Sequence, residues 1–148
     1  MVSILFLQKS YGFLLAKAEE EMESRFIEKL SPLKLNARQF GILQYLEEHP
    51  NSSQKQVGEV LHIDRTTMVS QIDYLENIQC VQRLRNPKDR RFFGLTTTEQ
   101  GREKLKVGRS YLEKTELSVL AGLTDKEQRE LKSILLKVWA TIQEGEKE

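Results

Sequence analysis

The sequence predicts a mainly α fold carrying one small β-hairpin, and three observations carry that prediction. Six stretches repeat apolar residues at helical spacing, five of them behind residues suited to cap a helix. Between the fourth and the fifth stretch the period switches to two, over residues 81–85 and 91–97. No Gly/Ser/Pro-rich linker or internal repeat divides the chain, and Pro32, Pro50 and Pro87 each fall where a pattern breaks.

Residues 8–30 set Tyr11, Leu14, Leu15, Ala18, Met22, Phe26, Ile27 and Leu30 at helical spacing, and Ser31-Pro32 stops them. Asn36 offers an N-cap to a helix through Phe40, Leu43, Tyr45 and Leu46, closed at His49-Pro50. Ser53 with Gln56 makes a capping box for a short helix with Val57, Val60 and Leu61 on one face. Asp64 caps the next helix, in which Met68, Ile72 and Leu75 are the buried set. Two strands follow, joined by the turn-rich tip Asn86-Pro87-Lys88-Asp89-Arg90, with Phe93, Leu95 and Thr97 sharing one face. Thr98 caps a long helix through Leu105, Tyr111, Leu112, Leu117 and Leu120 to Gly122. Thr124 with Glu127 makes a further capping box, opening a last helix with the stripe Leu131, Ile134, Leu135, Val138 and Ile142. The polar residues 144–148 are expected to fray.

Two short capped helices joined by a tight turn and followed by a basic hairpin make a winged helix-turn-helix. That assigns residues 36–97 to one lobe. Residues 1–35 and 98–148 lie outside it as helical arms. Residues 4–7, Ile-Leu-Phe-Leu, and the stripe of the last helix would be exposed on a single subunit. Pairing the arms with a second copy covers them, so a homodimer is expected.

Composition narrows the function classes. The 148 residues are 39% hydrophobic and 30% charged, globular but lean in core material, and the net charge of +1 gives no global signal for nucleic acid. Charge is local instead: Arg83, Arg85, Lys88, Arg90 and Arg91 stand against Asp89 alone. This cluster suggests a local anionic partner, although a solvated charge run explains the charge alone equally well. Cys80, the only cysteine, excludes an internal disulfide framework and fits a reducing compartment. Its neighbours Ile78 and Val81 make it a small core residue. The apolar run at residues 2–7 lacks a basic flank and is too short for a signal peptide. No stretch approaches bilayer-spanning length. A cytoplasmic protein without a membrane partner is expected. His49, His62 and Cys80 show no metal-ligand spacing, and Glu19-Glu20-Glu21 belongs to a solvated helix face. No nucleophile motif or glycine-rich phosphate loop occurs. Catalysis, a cofactor and a metal are therefore not expected.

The helix after Asp64 offers the side chains that a major groove admits. Arg65 can reach a guanine edge or a phosphate, Thr66, Thr67 and Ser70 are short enough for close approach, and Val69 can touch a thymine methyl. Thr67 stands at the third helical position, so it can cap with Asp64 instead. An amphipathic helix with a polar outer face fits this segment too. Ser53, Gln54 and Lys55 bring backbone donors and a cation to a helix start where a phosphate fits. Arg85, Lys88 and Arg90 stand on the projecting hairpin, suited to a minor groove or flanking backbone. Asp89 among them costs affinity unless neutralised, and Arg91 is its expected partner, giving the loop one shape away from the groove-facing tip.

The run HIDRTTMVSQIDYLENIQCVQRLRNPKDRRFFGLTTTEQG resembles the MarR family of transcription regulators from recognition helix to wing. Its most specific part is the Asp-x-Arg wing signature, Asp89-Arg90-Arg91, followed by Thr98-Glu99-Gln100-Gly101 at the next helix start. SQKQVGEVLHIDRTTMVSQID matches the helix-turn-helix style of the family, and the flanking helices match in length and order. The resemblance implies a two-fold dimer on a pseudo-palindromic double-stranded DNA operator, repression as the commoner mode, and release by a small-molecule effector. It places the effector between the arms and the lobe, with Tyr11, Arg38 and Tyr45 as candidate contacts. A thiol switch is not expected, because Cys80 enters the wing and is not in the N-terminal helix. Three positions depart from the family pattern. Gln79 replaces a glycine wanted for a left-handed turn, Thr97 replaces a leucine, and Ser70 stands where a basic residue is frequent. The alternative reading is a winged-helix module that binds protein and no DNA, which an apolar or acidic recognition face would have favoured.

Overall fold

The computed structural model describes residues 6–147, with the side chain of Arg90 outside the described set. The first long helix, α1 (Tyr11–Leu30), starts three residues later than the apolar period suggests. Ser10 interrupts the pattern, and its hydroxyl accepts the Phe13 N–H at 3.2 Å as the N-cap. A 3-10 turn, Ser31–Leu33, leads to α2 (Ala37–Glu48), α3 (Gln54–Leu61) and α4 (Arg65–Asn77). Strands β1 (Val81–Asn86) and β2 (Asp89–Thr97) pair antiparallel, and α5 (Glu99–Val119) and α6 (Asp125–Glu146) complete the chain.

Each expected cap is formed. Asn36, Ser53 and Thr124 make reciprocal capping boxes with Gln39, Gln56 and Glu127, while Asp64 and Thr98 accept from Thr67 and Gly101. Removing such a cap costs a helix about 1 kcal/mol, so these residues fix where each helix begins. The core then gathers Phe26 and Leu30 of α1, Phe40, Ile42, Leu43 and Leu46 of α2, Val57, Met68, Ile72, Leu75, Leu95 and Leu105. Phe26 meets Phe40 edge to face at 5.1 Å.

Some residues depart from the expected faces. Val60 is exposed, because the short helix α3 buries Val57 and turns Val60 away from the core. On β2, Leu95 and Thr97 are buried as expected, whereas Phe93 lies beyond the core and is exposed. The hairpin tip is the two-residue turn Pro87-Lys88, tighter than the five-residue tip expected. Register runs from Val81↔Thr97 to Arg85↔Phe93 and then shifts to Asn86↔Asp89, so the irregularity falls on residues 90–92 of β2. A third strand-like contact anchors the sheet: Asn51 N–H donates to the Leu95 carbonyl at 3.1 Å, and Leu95 N–H to Ser52 at 2.8 Å.

Gln79 adopts the left-handed conformation that its position demands, with φ 61°. Without glycine this costs about 1 kcal/mol, and the Gln79 carbonyl gains the Thr98 hydroxyl at 2.6 Å. Thr97, where the family pattern wants leucine, is buried, and its hydroxyl donates to the Glu47 carboxylate. Beside them α5 starts against the end of α4. A Cβ on Gly101 would sit 2.3 Å from the Cys80 carbonyl oxygen, a backbone atom that cannot swing aside.

No residue of α6 is buried. Ile134 is 58% exposed and Trp139 52%, with Trp139 at the edge of the expected stripe and the exposed Leu136 on the other side of the helix.

Gly101→Ala therefore lowers stability by about 2–3 kcal/mol through overpacking, read as a fall in the urea midpoint. Gly122→Ala, where an added Cβ meets nothing within 4 Å, leaves the midpoint in place or raises it.

Candidate nucleic-acid interface

Helix α4 is held by its apolar side, since Met68, Ile72 and Leu75 are fully buried. At 100° per residue, positions 66 and 70 lie opposite that side, and 65 and 69 lie on its flank. Arg65, Thr66, Val69 and Ser70 are all exposed, Val69 at 42%. Thr67 is used differently. Asp64 accepts its N–H at 2.8 Å and its hydroxyl at 2.6 Å, so the capping role is the one formed. These hydrogen bonds hold the Asp64 carboxyl below its usual range. Ser70 donates to the Thr67 carbonyl at 2.9 Å and keeps its lone pairs outward on a short side chain.

The start of α3 lies beside the start of α4. The Ser53–Gln56 box uses the N–H groups of Ser53 and Gln56, and those of Gln54 and Lys55 have no partner among the described residues. Between the helices runs a cleft of about 640 Å³ lined by Gln54, Lys55, Gly58, Glu59, Ile63, Arg65 and Met68. It brings Lys55 and Arg65 to one mouth. His62 makes the turn between the helices with φ 55°.

On the wing, the cations divide by partner. Asp89 takes Arg91 in a fork, Nε and Nη2 each at 3.0 Å, and also accepts the Arg91 N–H at 3.1 Å. The guanidinium lowers the Asp89 carboxyl, and the carboxylate raises Arg91. The expected pair is formed, but Arg91 stays 84% exposed, so it braces the tip from outside the fold. Arg83 is counted in the basic cluster of the sequence and is given no partner there. It reaches back from β1 to Asp73 of α4 at 2.8 Å and to Glu76 at 3.9 Å, tying wing to helix. Arg85 lies over the Phe93 ring at 5.5 Å, and Lys88 is exposed in the turn. Arg85 and Lys88 have no carboxylate partner among the described residues. The side chain of Arg90 lies outside those residues.

The three candidate effector contacts do not meet in one chain. Tyr11 is 87% exposed at the start of α1, Arg38 is exposed on α2, and Tyr45 stacks on His49 at 4.4 Å. None of them lines the cleft between α3 and α4. Cys80 is fully buried, which pushes its thiol up, and it serves as core. Among the described residues no helix is long and apolar enough to cross a membrane.

Residues 35–92 match the model of the MarR family. The HTH-type transcriptional repressor Mb2911 of Mycobacterium bovis is 28% identical over 127 residues, 86% of this chain and 91% of the relative. The transcriptional repressor CouR, solved bound to a 23-mer DNA duplex, matches with a TM-score of 0.77 at 28% identity, over 93% of this chain and 94% of that one. The MarR family protein Rv2887 of Mycobacterium tuberculosis, solved with salicylic acid, matches at 0.73 and 27%, over 87% and 96%.

The Asp89–Arg91 fork makes the wing acid-sensitive. A carboxyl held below its usual value of 3.8 contributes fully above that value and loses its contribution as pH falls through the lower folded value. Asp89→Asn removes the fork at neutral pH, so amide exchange should quicken across residues 86–92 at pH 7 while α2 and α4 stay protected. Unchanged exchange at the tip would show that the fork does not order it.

Proposed function

We propose that this chain, whose residues 35–92 carry a MarR-family winged helix-turn-helix, is a homodimeric, sequence-specific DNA-binding transcription regulator acting as a repressor. The observation that carries the reading is the exposed face of α4. Arg65, Thr66, Val69 and Ser70 are exposed there while Met68, Ile72 and Leu75 of the same helix are fully buried. A helix so seated turns its polar side outward, as base-edge contact requires. Lys55 and the open N–H groups of Gln54 and Lys55 supply a phosphate seat beside it, and Arg85, Lys88 and Arg90 supply the wing contacts. The duplex held by the 28% identical repressor supports the same partner for this chain.

The dimer rests on the arms. In α6, a helix of 22 residues, Leu135, Val138, Trp139 and Ile142 are exposed together, with Leu14, Leu15 and Ile27 exposed on α1. An apolar surface of that length on a lone subunit costs solubility, and a second copy covers it by two-fold pairing. Residues 1–35 and 98–148 are thus the dimerisation arms and 36–97 the DNA lobe. An effector released into this architecture fits the salicylic acid held by the relative. Tyr11, Arg38 and Tyr45 remain its candidate contacts, with the second subunit completing the site. A reduced, buried Cys80 fits a cytoplasmic setting.

Selection from a random duplex library at one moderate salt concentration should recover an inverted repeat with half-sites about ten base pairs apart. Recovery of nothing above non-specific affinity would favour the protein-interaction module instead. Arg65→Ala should alter the recovered bases, whereas Lys88→Ala should weaken all duplexes and reduce the salt slope by about 1. Trp139→Glu with Leu135→Glu should convert the dimer to monomer in sedimentation. A dimer that persists would place the interface elsewhere.

A further inference from the structure

Gln39 is a buried polar side chain that neither the core nor the exposed face of α4 accounts for. It lies in the first turn of α2 and is 7% exposed. Its Oε1 accepts the Asn36 N–H at 3.0 Å, completing the capping box. That leaves Nε2 to cross to α4, where it donates to Gln71 Oε1 at 2.9 Å. The two amides orient each other, because an oxygen already engaged in the box allows Gln39 only to donate across the gap. Three residues further along α4, the Tyr74 hydroxyl donates to the Lys34 carbonyl at 2.6 Å. From another side, Lys104 of α5 donates to the Leu33 carbonyl at 2.8 Å. Residues 33–39 thus donate one bond to α4, accept one from it and accept one from α5, and they continue directly from the 3-10 turn after α1.

We propose that residues 33–39 are the joint that sets the rotation of α4 about its own axis relative to the arms. Gln71 and Tyr74 are then positioning residues for base recognition, an inference that rests on the DNA-binding reading above. The apolar seat of Met68, Ile72 and Leu75 holds α4 against the core but resists rolling weakly, because apolar burial has no direction. Hydrogen bonds weaken steeply with angle. At 100° per residue, Gln71 and Tyr74 lie beside that seat, on the side away from Arg65 and Val69. A roll in one direction would bring Thr67 toward the groove and carry Arg65 and Val69 away from it, so the two bonds decide which side chains meet base edges. Lys104 carries the same joint to α5, giving arms and recognition helix one shared fixture.

The test compares affinity for the selected operator with affinity for an unrelated duplex of equal length at one salt concentration, with thermal unfolding alongside. Gln71→Met removes the acceptor, Tyr74→Phe removes only the hydroxyl, and Gln71→Glu keeps an acceptor at the same place. The Gln71→Met, Tyr74→Phe double variant should lose about tenfold or more in the operator-to-unrelated ratio, with unrelated affinity held within about twofold. Gln71→Glu should retain the wild-type ratio while its added charge weakens both duplexes alike. A lower melting temperature with an unchanged ratio would make these bonds structural only and overturn the joint. A wild-type chain that selects no operator would overturn the DNA reading itself, whereas a wild-type operator with indifferent variants overturns the joint alone.

Discussion

The chain crosses itself where Cys80 leaves the end of α4 and Thr98 opens α5, and the lobe is closed by that crossing. Thr98 N–H donates to the Cys80 carbonyl at 3.0 Å, its hydroxyl donates to Gln79, and the same hydroxyl accepts the Gly101 N–H. Gly101 passes against the Cys80 carbonyl, where any side chain would collide with backbone. Three elements meet there: the recognition-type helix as it ends, the wing as it begins, and the arm as it departs. The left-handed Gln79 belongs to this arrangement, for without the reversal at that residue the strand could not leave beside α5. Its strain is offset by hydrogen bonds that a straight helix end would not have.

Electrostatics follow from the fold more than from the total charge. Arg83 and Arg91 lie in the same short run as Arg85 and Lys88, yet among the described residues the first two meet carboxylates and the latter two do not. Exposed pairs of this kind add little stability. Their use here is geometric: Arg83 ties the wing to α4 and Arg91 shapes its tip. A near-neutral chain can thereby present concentrated positive charge at a few places and remain weakly attracted to polyanions elsewhere. Tight binding to any DNA regardless of sequence would defeat a regulator that must find one site, so this economy of free cations suits the proposed function.

Features encoded within a few residues were legible in the sequence. Asn36, Ser53, Asp64, Thr98 and Thr124 announce their helices because a cap and its partner lie three residues apart. The Asp89–Arg91 fork spans two residues and was equally readable. Links between distant positions carried no such signal. Glu47 with Thr97, Arg83 with Asp73, and Gln39 with Gln71 are polar pairs whose members belong to different elements. Each looks like an ordinary solvated residue until packing brings its partner close. Val60 erred for a related reason, since α3 is only two turns long and its period cannot distinguish neighbouring faces. The Arg65, Thr66, Val69 and Ser70 face was visible as a polar helix face, while the cleft that joins it to Lys55 needed the tertiary fold.

The arms pose the remaining constraint. No residue of α6 is fully buried within one subunit, so most of that helix lacks packing in a single chain. Helical propensity alone leaves such a segment marginal in water, and tertiary contact must supply the rest. If a second copy supplies it, folding of the arm and assembly become one event, and the separation of two DNA lobes is set by how the arms pack. Any ligand wedged between arm and lobe would then act on DNA affinity without touching DNA, by changing that separation or the seating of α4. The lobe can transmit such a change because the arms are packed into it. Phe26 and Leu30 of α1 and Leu105 of α5 share the core with Phe40, Arg109 of α5 donates to Gln44 of α2, and the crossing at Cys80 and Thr98 and the polar contacts at residues 33–39 add fixed points. A loosely attached lobe would absorb the movement in its linkers. One packed and bonded in this way must follow it.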